Sequence, residues 1–144
     1  MSFTGDLLDG LAQLLAGGGV GTYRADGSAY APGETGIFFA AMPQSPDRAI
    51  VLATYTVTDD ASLSDSVIGL QVRCRGSADP HDVEDVAGAV FDLLHGRTAF
   101  QAGTVHIVQA LHQSGAPLGR DDSNRWERSE NYYLTVHRPS TYRT

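Results

Sequence analysis

The sequence predicts an α+β fold, with two helices packed on one face of a mostly antiparallel sheet of about five strands. Three observations point to it. Two segments repeat apolar residues every three or four positions, several short runs are rich in β-branched and aromatic residues between turn-forming clusters, and the order is helix, three strands, helix, two strands. With 144 residues, 42% of them hydrophobic and 19% charged, the chain is expected to form a single domain over 1–144 around one core.

The first helix is predicted over Phe3–Leu15, where Phe3, Leu7, Leu8, Leu11, Leu14 and Leu15 share one stripe. Ser2 or Thr4 can cap it, and the run Gly17, Gly18, Gly19 stops it. Between Val20 and Gly36 the stretch VGTYRADGSAYAPGETG has too few periodic apolar residues for a regular element. It reads as a structured loop with room for one short strand. Loops of this length inside compact domains usually carry function, so it is a candidate contact surface; a mobile surface loop is the competing reading.

Ile37–Met42 and Ala49–Thr56 are apolar runs separated by the turn-forming PQSPD, and they read as an antiparallel hairpin in a central position. In Val67–Arg75 the alternation is clean: Ile68, Leu70, Val72 and Cys74 share one face, and Gln71, Arg73 and Arg75 share the other. The second helix is the best-signalled element. Asp79 can cap it, Pro80 suits its first turn, and Asp82, Glu84 and Asp85 complement its positive end. Its buried stripe is Val83, Val86, Ala87, Val90, Phe91 and Leu94, with Gly96 past its end. Two further strands, Thr104–His112 and Trp126–His137, are joined by the turn-rich SGAPLGRDDSN.

The composition bounds the chemistry. A formal net charge of −7 disfavours stable nucleic-acid binding, which needs a basic face. Every basic residue other than histidine is Arg, and without lysine there is no Schiff-base or Walker-type lysine. Cys74 is the single cysteine, so neither an internal disulfide nor a thiolate cluster can form. The start MSFTGDLLDG lacks a basic region followed by an apolar run, and no window resembles a membrane span, so the protein is expected to stay in the cytoplasm where it is made.

Motifs for catalysis or cofactors are weak. The glycines of Gly17–Gly21 follow a helix instead of opening one, which fits a helix stop better than a phosphate cradle. Of the five histidines, His106 and His112 would share a strand face but stand roughly 20 Å apart, too far for one zinc. His81 and His95 lie at opposite ends of the second helix, and surface or edge-strand roles are expected for all five, His137 included. Cys74 reads as a small core hydrophobe, while Ser64 and Ser114 have no nucleophile elbow around them. The acids Asp59, Asp60, Asp65, Asp121 and Asp122 fall in turns and match no calcium-loop pattern. No catalytic, cofactor-binding or metal-binding residue is therefore assigned.

The segments GVGTYRADGSAY, GETGIFFAAMP and SPDRAIVLATY, followed by DSVIGLQVRCRG and DPHDVEDVAGAVFDLLHG, occur in an order that resembles a family of small proteins of actinobacterial tailed phages and prophages, the minor capsid or tail-terminator proteins. The resemblance covers most of the chain between the two helices and adds little after Gln101. It implies a structural virion protein of a siphovirus, placed in the tail or neck and assembled in the host cytoplasm. Such a subunit joins the end of a long tail tube, stops its elongation and meets the head–tail connector or stopper protein. The implied assembly is a homo-hexamer ring through which DNA passes without specific binding, with no cofactor and no membrane.

On that reading Gln71, Arg73 and Arg75, with Tyr23, Arg24, Asp26, Tyr30 and Glu34 of the long loop, are candidates for the subunit interface. Asp59, Asp60, Asp65, Asp121 and Asp122 are candidates to line the bore, where acidic charge would repel phosphates. A ring of six would carry six times the −7 of one chain. The alternatives are a head-side connector, stopper or minor capsid protein of the neck and, from another class, a small hydrolase with a cleft beside the Val20–Gly36 loop.

Overall fold

Ser2 caps the first helix, α1 (Phe3–Gly17), its hydroxyl accepting from the Gly5 amide at 3.0 Å. The computed structural model describes residues 1–143. Leu7, Leu11 and Leu15 of α1 recur every four residues and are fully buried, each worth about 1.5–3 kcal/mol of apolar burial. The helix ends where the Gly18 amide bonds back to Leu14 and Gly19 turns to φ +78°. Its closest approach is at Gly10: a Cβ there would lie 2.0 Å from the Gly103 amide nitrogen, so only glycine lets the helix sit on that turn.

The remaining elements are β1 (Gly36–Phe39), β2 (Ala49–Asp59), β3 (Asp65–Arg75), α2 (Pro80–Leu94), β4 (Thr98–Ala102), β5 (Val105–Arg120) and β6 (Trp126–His137). They form one six-stranded sheet in the order β1-β2-β3-β6-β5-β4. The sheet is antiparallel except at β1–β2, and both helices pack on the face that carries Ile50, Leu52, Leu70, Val72, Cys74, Tyr132 and Leu134. The α+β expectation holds, with one strand more than foreseen.

Four local expectations are corrected. The run Ile37–Met42 does not form a hairpin with the next strand: β1 is shorter and pairs with β2 in parallel, Ile37 opposite Ile50. A parallel pair needs a crossing connection instead of a tight turn. Segment 40–48 supplies it, starting at Ala40 with φ +67° and held from inside by Arg75, which donates to the carbonyls of Pro43, Pro46 and Asp47 at 2.6, 2.8 and 2.9 Å. Nor is β1 central; it is an edge strand, and the long loop packs on Phe38 from one face and on Phe39 from the other.

The second correction is β4, a short edge strand in which Phe100 and Ala102 turn inward. The third is the length of β5, which runs on through SGAPLG to Arg120 before turning. Register shifts at Ile107/Gln109, His112/Ser114 and Pro117/Gly119 let glycine and proline sit inside it. α2 matches its expected caps, with Asp79 accepting from the His81 amide at 2.9 Å, but Phe91 is 39% exposed instead of buried. Among the described residues, no helix is long and apolar enough to cross a membrane.

Candidate subunit interface

The face of the sheet away from the helices is where the alternation of β3 places Gln71 and Arg73, both exposed. Register sets Gln71 between Ala53 and Asn131, and Arg73 between Val51 and Ser129. Arg73 donates through Nε to Glu127 at 2.8 Å, with Nη2 2.7 Å from the same carboxylate oxygen, while staying 44% exposed, and Glu127 itself is buried. One guanidinium edge is thus engaged and the rest faces solvent. Tyr55 lies flat across Gly69, where a Cβ would fall 2.1 Å from its ring, and its hydroxyl donates to Asn131 at 3.3 Å.

Arg75, on the same face by alternation, is not available there. At 2% exposed, it is turned into the 40–48 loop and stands 3.8 Å from Asp121. A buried charge of this kind is tolerated because each of its three nitrogens finds a carbonyl acceptor.

The Val20–Gly36 loop is a built surface, and its only ladder contact is an isolated bridge from Thr22 to Gly36. The Tyr23 hydroxyl donates to Asp9 of α1 at 2.6 Å, and burial, followed by that carboxylate, pushes its pKa up to about 12. Arg24 donates to both oxygens of Glu34 at 2.8 and 3.0 Å, and this pairing, reinforced by the Ala31 amide, holds the Glu34 carboxyl below its usual range. Tyr30 accepts from the Arg24 amide, donates to the Ile37 carbonyl and packs its ring on Phe38 at 4.9 Å. Tyr23 packs edge-on against Phe39 at 5.6 Å. Asp26 accepts from Ser28 at the exposed tip, which lowers its pKa. Between the loop and β1 lies a shallow cavity of about 450 Å³, lined by Tyr23, Tyr30, Phe38 and Phe39.

The five candidate bore acids do not gather. Asp59, Asp60 and Asp65 flank the β2–β3 turn, while Asp121 and Asp122 lie in the β5–β6 turn beside the far end of β3. The eleven residues of β3 separate these ends by roughly 35 Å. Several are also engaged: Asp59 accepts from Ser66 at 2.6 Å, Asp60 from Ser62 at 2.7 Å, and Asp65 meets His137 at 3.3 Å. Burial would raise the Asp121 carboxyl, but hydrogen bonds from the Arg125 amide and guanidinium outweigh it and hold it low.

A polar cluster that the sequence did not reveal lies between α2 and β5. The His112 amide donates to His95 Nδ1 at 3.0 Å, His112 Nε2 meets Glu130 at 2.7 Å, and Arg128 bridges Glu130 and Glu84 at 2.8 and 3.2 Å. Phe91 stacks on His95. His112 is therefore part-buried and paired, not a plain edge residue. Its sequence signal is faint, because the register shift between Ile107 and Gln109 turns Ala110 and His112 inward where unbroken alternation would leave them outward. Among the described residues no three of His, Cys, Asp or Glu converge as metal ligands. Cys74 is fully buried, and burial pushes its thiol up to about 12, so it is an unreactive core residue. Ser114 is exposed on β5, and the Ser64 carbonyl is taken by the Arg138 amide at 2.7 Å.

A solved structure titled "Virion of native gene transfer agent (GTA) particle" contains a chain of the same fold, with a TM-score of 0.66 and 18% identity over 94% of this chain and 98% of that one. No curated protein matches the sequence. A family model described as "Bacteriophage tail terminator protein" matches residues 14–138, which span the whole sheet and α2 but only the last turn of α1. The chain belongs to the bacteriophage tail terminator family.

Proposed function

We propose that this chain is a structural, non-enzymatic subunit of a ring that caps the tail tube of a phage particle, stops its elongation and offers the joining surface to the head connector. The observation that carries the reading is the family match over residues 14–138. The fold supports it, because one sheet face is free of helices and the long loop is braced by side chains instead of enclosing a catalytic centre. Six copies would make the ring. Gln71 and Arg73 would meet a neighbour, and the exposed loop tip around Asp26 would meet the tube or connector. The rim acids at either end of the sheet would give both mouths of the bore a charge that repels the phosphates of passing DNA.

Electron microscopy of particles assembled without this gene product tests the reading. Headless tails of uncontrolled length are expected. Tails of normal length beside DNA-filled heads would instead move the protein to the head side of the neck, and intact particles would remove it from assembly altogether. Trimming residues 25–29 from the loop tip is expected to leave the fold intact and lower particle yield. An unchanged yield would remove the tip from the joining surface.

A further inference from the structure

The sheet has two steps in its outline, at diagonally opposite corners. On one side β1 covers β2 only over Ala49–Leu52. From Ala53 to Asp59 no strand pairs with β2 on that side, and Tyr55 to Asp59 are exposed. On the other side β4 covers β5 only from Val105 to Gln109. The Gly96–Arg97 segment and His95 then take the outward groups of Ala110 and His112. Beyond them, residues 113–120 pair with β6 alone and are exposed save Gly119. The free half of β2 lies toward the Asp65 end of the sheet and the free half of β5 toward the Arg75 end.

Unpaired strand edges attract other strands, and proteins that keep them without a partner shorten, charge or distort them. Here both edges are long, about 24 Å each by residue rise. They also carry large exposed apolar side chains: Tyr55 and Val57 on β2, and Leu118 on β5. The outer edge of β1, by contrast, is closed by Thr22, whose carbonyl takes the Ile37 amide at 3.0 Å.

We propose that the free half of β2 in one copy adds, antiparallel, to the free half of β5 in the next copy, so that the sheets of neighbouring subunits join edge to edge. This rests on the ring reading above and adds an edge-to-edge joint to it, separate from the sheet-face contact at Gln71 and Arg73. Three antiparallel pairings separate β2 from β5, so the two strands run in opposite directions. A ring rotation does not reverse strand direction around the curved sheet, which makes the joint antiparallel. Because the two free halves lie at opposite ends of the sheet, the strands lean across the ring axis where they meet. The two free halves are of similar length, and the steps interlock, β1 of one copy sitting below and β4 of the other above. Charge agrees as well. In this arrangement Asp59 and Asp60 of the second copy come toward Arg97, which lies beside Ala110, stacks on Phe100 and has no ion pair among the described residues. Pro117, which lacks an amide hydrogen, and the neighbouring register shift limit the ladder to part of the edge and guard against unrestricted stacking.

Cysteine cross-linking in assembled particles decides the matter, since native Cys74 is buried and silent. Thr56→Cys is combined in one chain with Ser114→Cys, Ala116→Cys or Leu118→Cys in turn, and particles are purified and oxidised. The expected result is a ladder of covalent multimers from at least one pair, with each single variant remaining monomeric. Dimers from single variants would show like edges pairing with like and overturn the proposal. Particles that contain the protein yet give no ladder would place the subunit contact on another face, leaving the tail-terminator reading intact. Normal particles lacking the protein would overturn that reading itself.

Discussion

Arg75 Nη1 stands 3.8 Å from Asp121 Oδ2 beneath the connection that makes β1 and β2 parallel, and the same guanidinium fills three carbonyls of that connection. One buried side chain from the middle of the sheet thereby ties together two loops far apart in sequence.

Arg75→Ala is expected to cost about 3 kcal/mol, because it leaves buried acceptors and Asp121 without their partner. Arg73→Ala, two residues earlier and half-exposed, is expected to cost less, about 1–2 kcal/mol, because only the buried Glu127 loses a partner. Urea denaturation of both variants measures the contrast. Equal losses would mean that Arg75 is not the keystone of the 40–48 loop. Arg73, not Arg75, is accordingly the residue to change when the sheet-face contact proposed for Gln71 and Arg73 is tested with the smaller loss of stability.

Two helical glycines should respond to alanine with opposite signs. Alanine favours helix over glycine by about 1 kcal/mol. Gly88 in α2 has no atom within 4 Å of a built Cβ, so Gly88→Ala is expected to raise stability by about 0.5–1 kcal/mol. Gly10→Ala meets backbone at 2.0 Å and is expected to lower stability by about 1–3 kcal/mol or more as α1 is pushed off the β4–β5 turn. Thermal unfolding of the pair is sufficient, and stabilisation by Gly10→Ala would refute the close approach.

Alkaline pH should weaken the fold. Burial raises Cys74 and Tyr23 to about 12 and raises Tyr132 as well. The folded chain keeps these protons while the unfolded chain releases them from the ordinary thiol and phenol ranges upward. Their contribution is complete below about pH 8.5 and is lost as pH climbs toward 12. Unfolding free energy measured from pH 7 to 11 should be nearly flat at first and then fall. Cys74→Ala should remove at most about 1.4 kcal/mol per pH unit of that fall. In the native state Cys74 should also resist a thiol reagent at pH 8.

Arg143 gathers the carbonyls of Asp60, Leu63, Asp65 and Arg138 and the hydroxyl of Ser66, at 2.6–3.1 Å. It pins the segment after β6 onto the β2–β3 turn. Hydrogen bonds from a charged group are worth about 1.5 kcal/mol or more. Arg143→Ala is therefore expected to speed amide exchange across residues 60–66 about tenfold, with little change in the α2 core. Unchanged exchange would show that the clamp does not restrain the turn.

The helices were legible because each carries its own punctuation. Asp79 and Pro80 open α2, the glycines after Leu15 close α1, and the stripes of Val83, Val86, Val90 and of Leu7, Leu11, Leu15 name their buried faces. β3 and β6 were legible from alternation alone. What failed needed distant partners. Phe38 and Phe39 look like the residues of a central strand because both faces of β1 are covered, but the cover comes partly from the long loop, with Tyr30 on Phe38 and Tyr23 on Phe39. β4 is five residues long with Ala99 at φ +52°, too short and irregular for a period to show. β5 hides behind SGAPLG, which is turn chemistry absorbed by register shifts. Arg75 shares its alternation with Gln71 and Arg73, and only the folded 40–48 loop distinguishes a buried anchor from an exposed contact. The five acids share a loop setting in the sequence, and the strand order sends them to opposite ends.

The two free half-edges are unlike, which has a genetic consequence. A subunit disabled at only one of them can still be incorporated through the other, and once incorporated it offers its neighbour a dead end. Such an allele would poison assembly when expressed beside the normal gene, even as the minor species. A subunit disabled at both edges would be ignored, and its defect would be recessive.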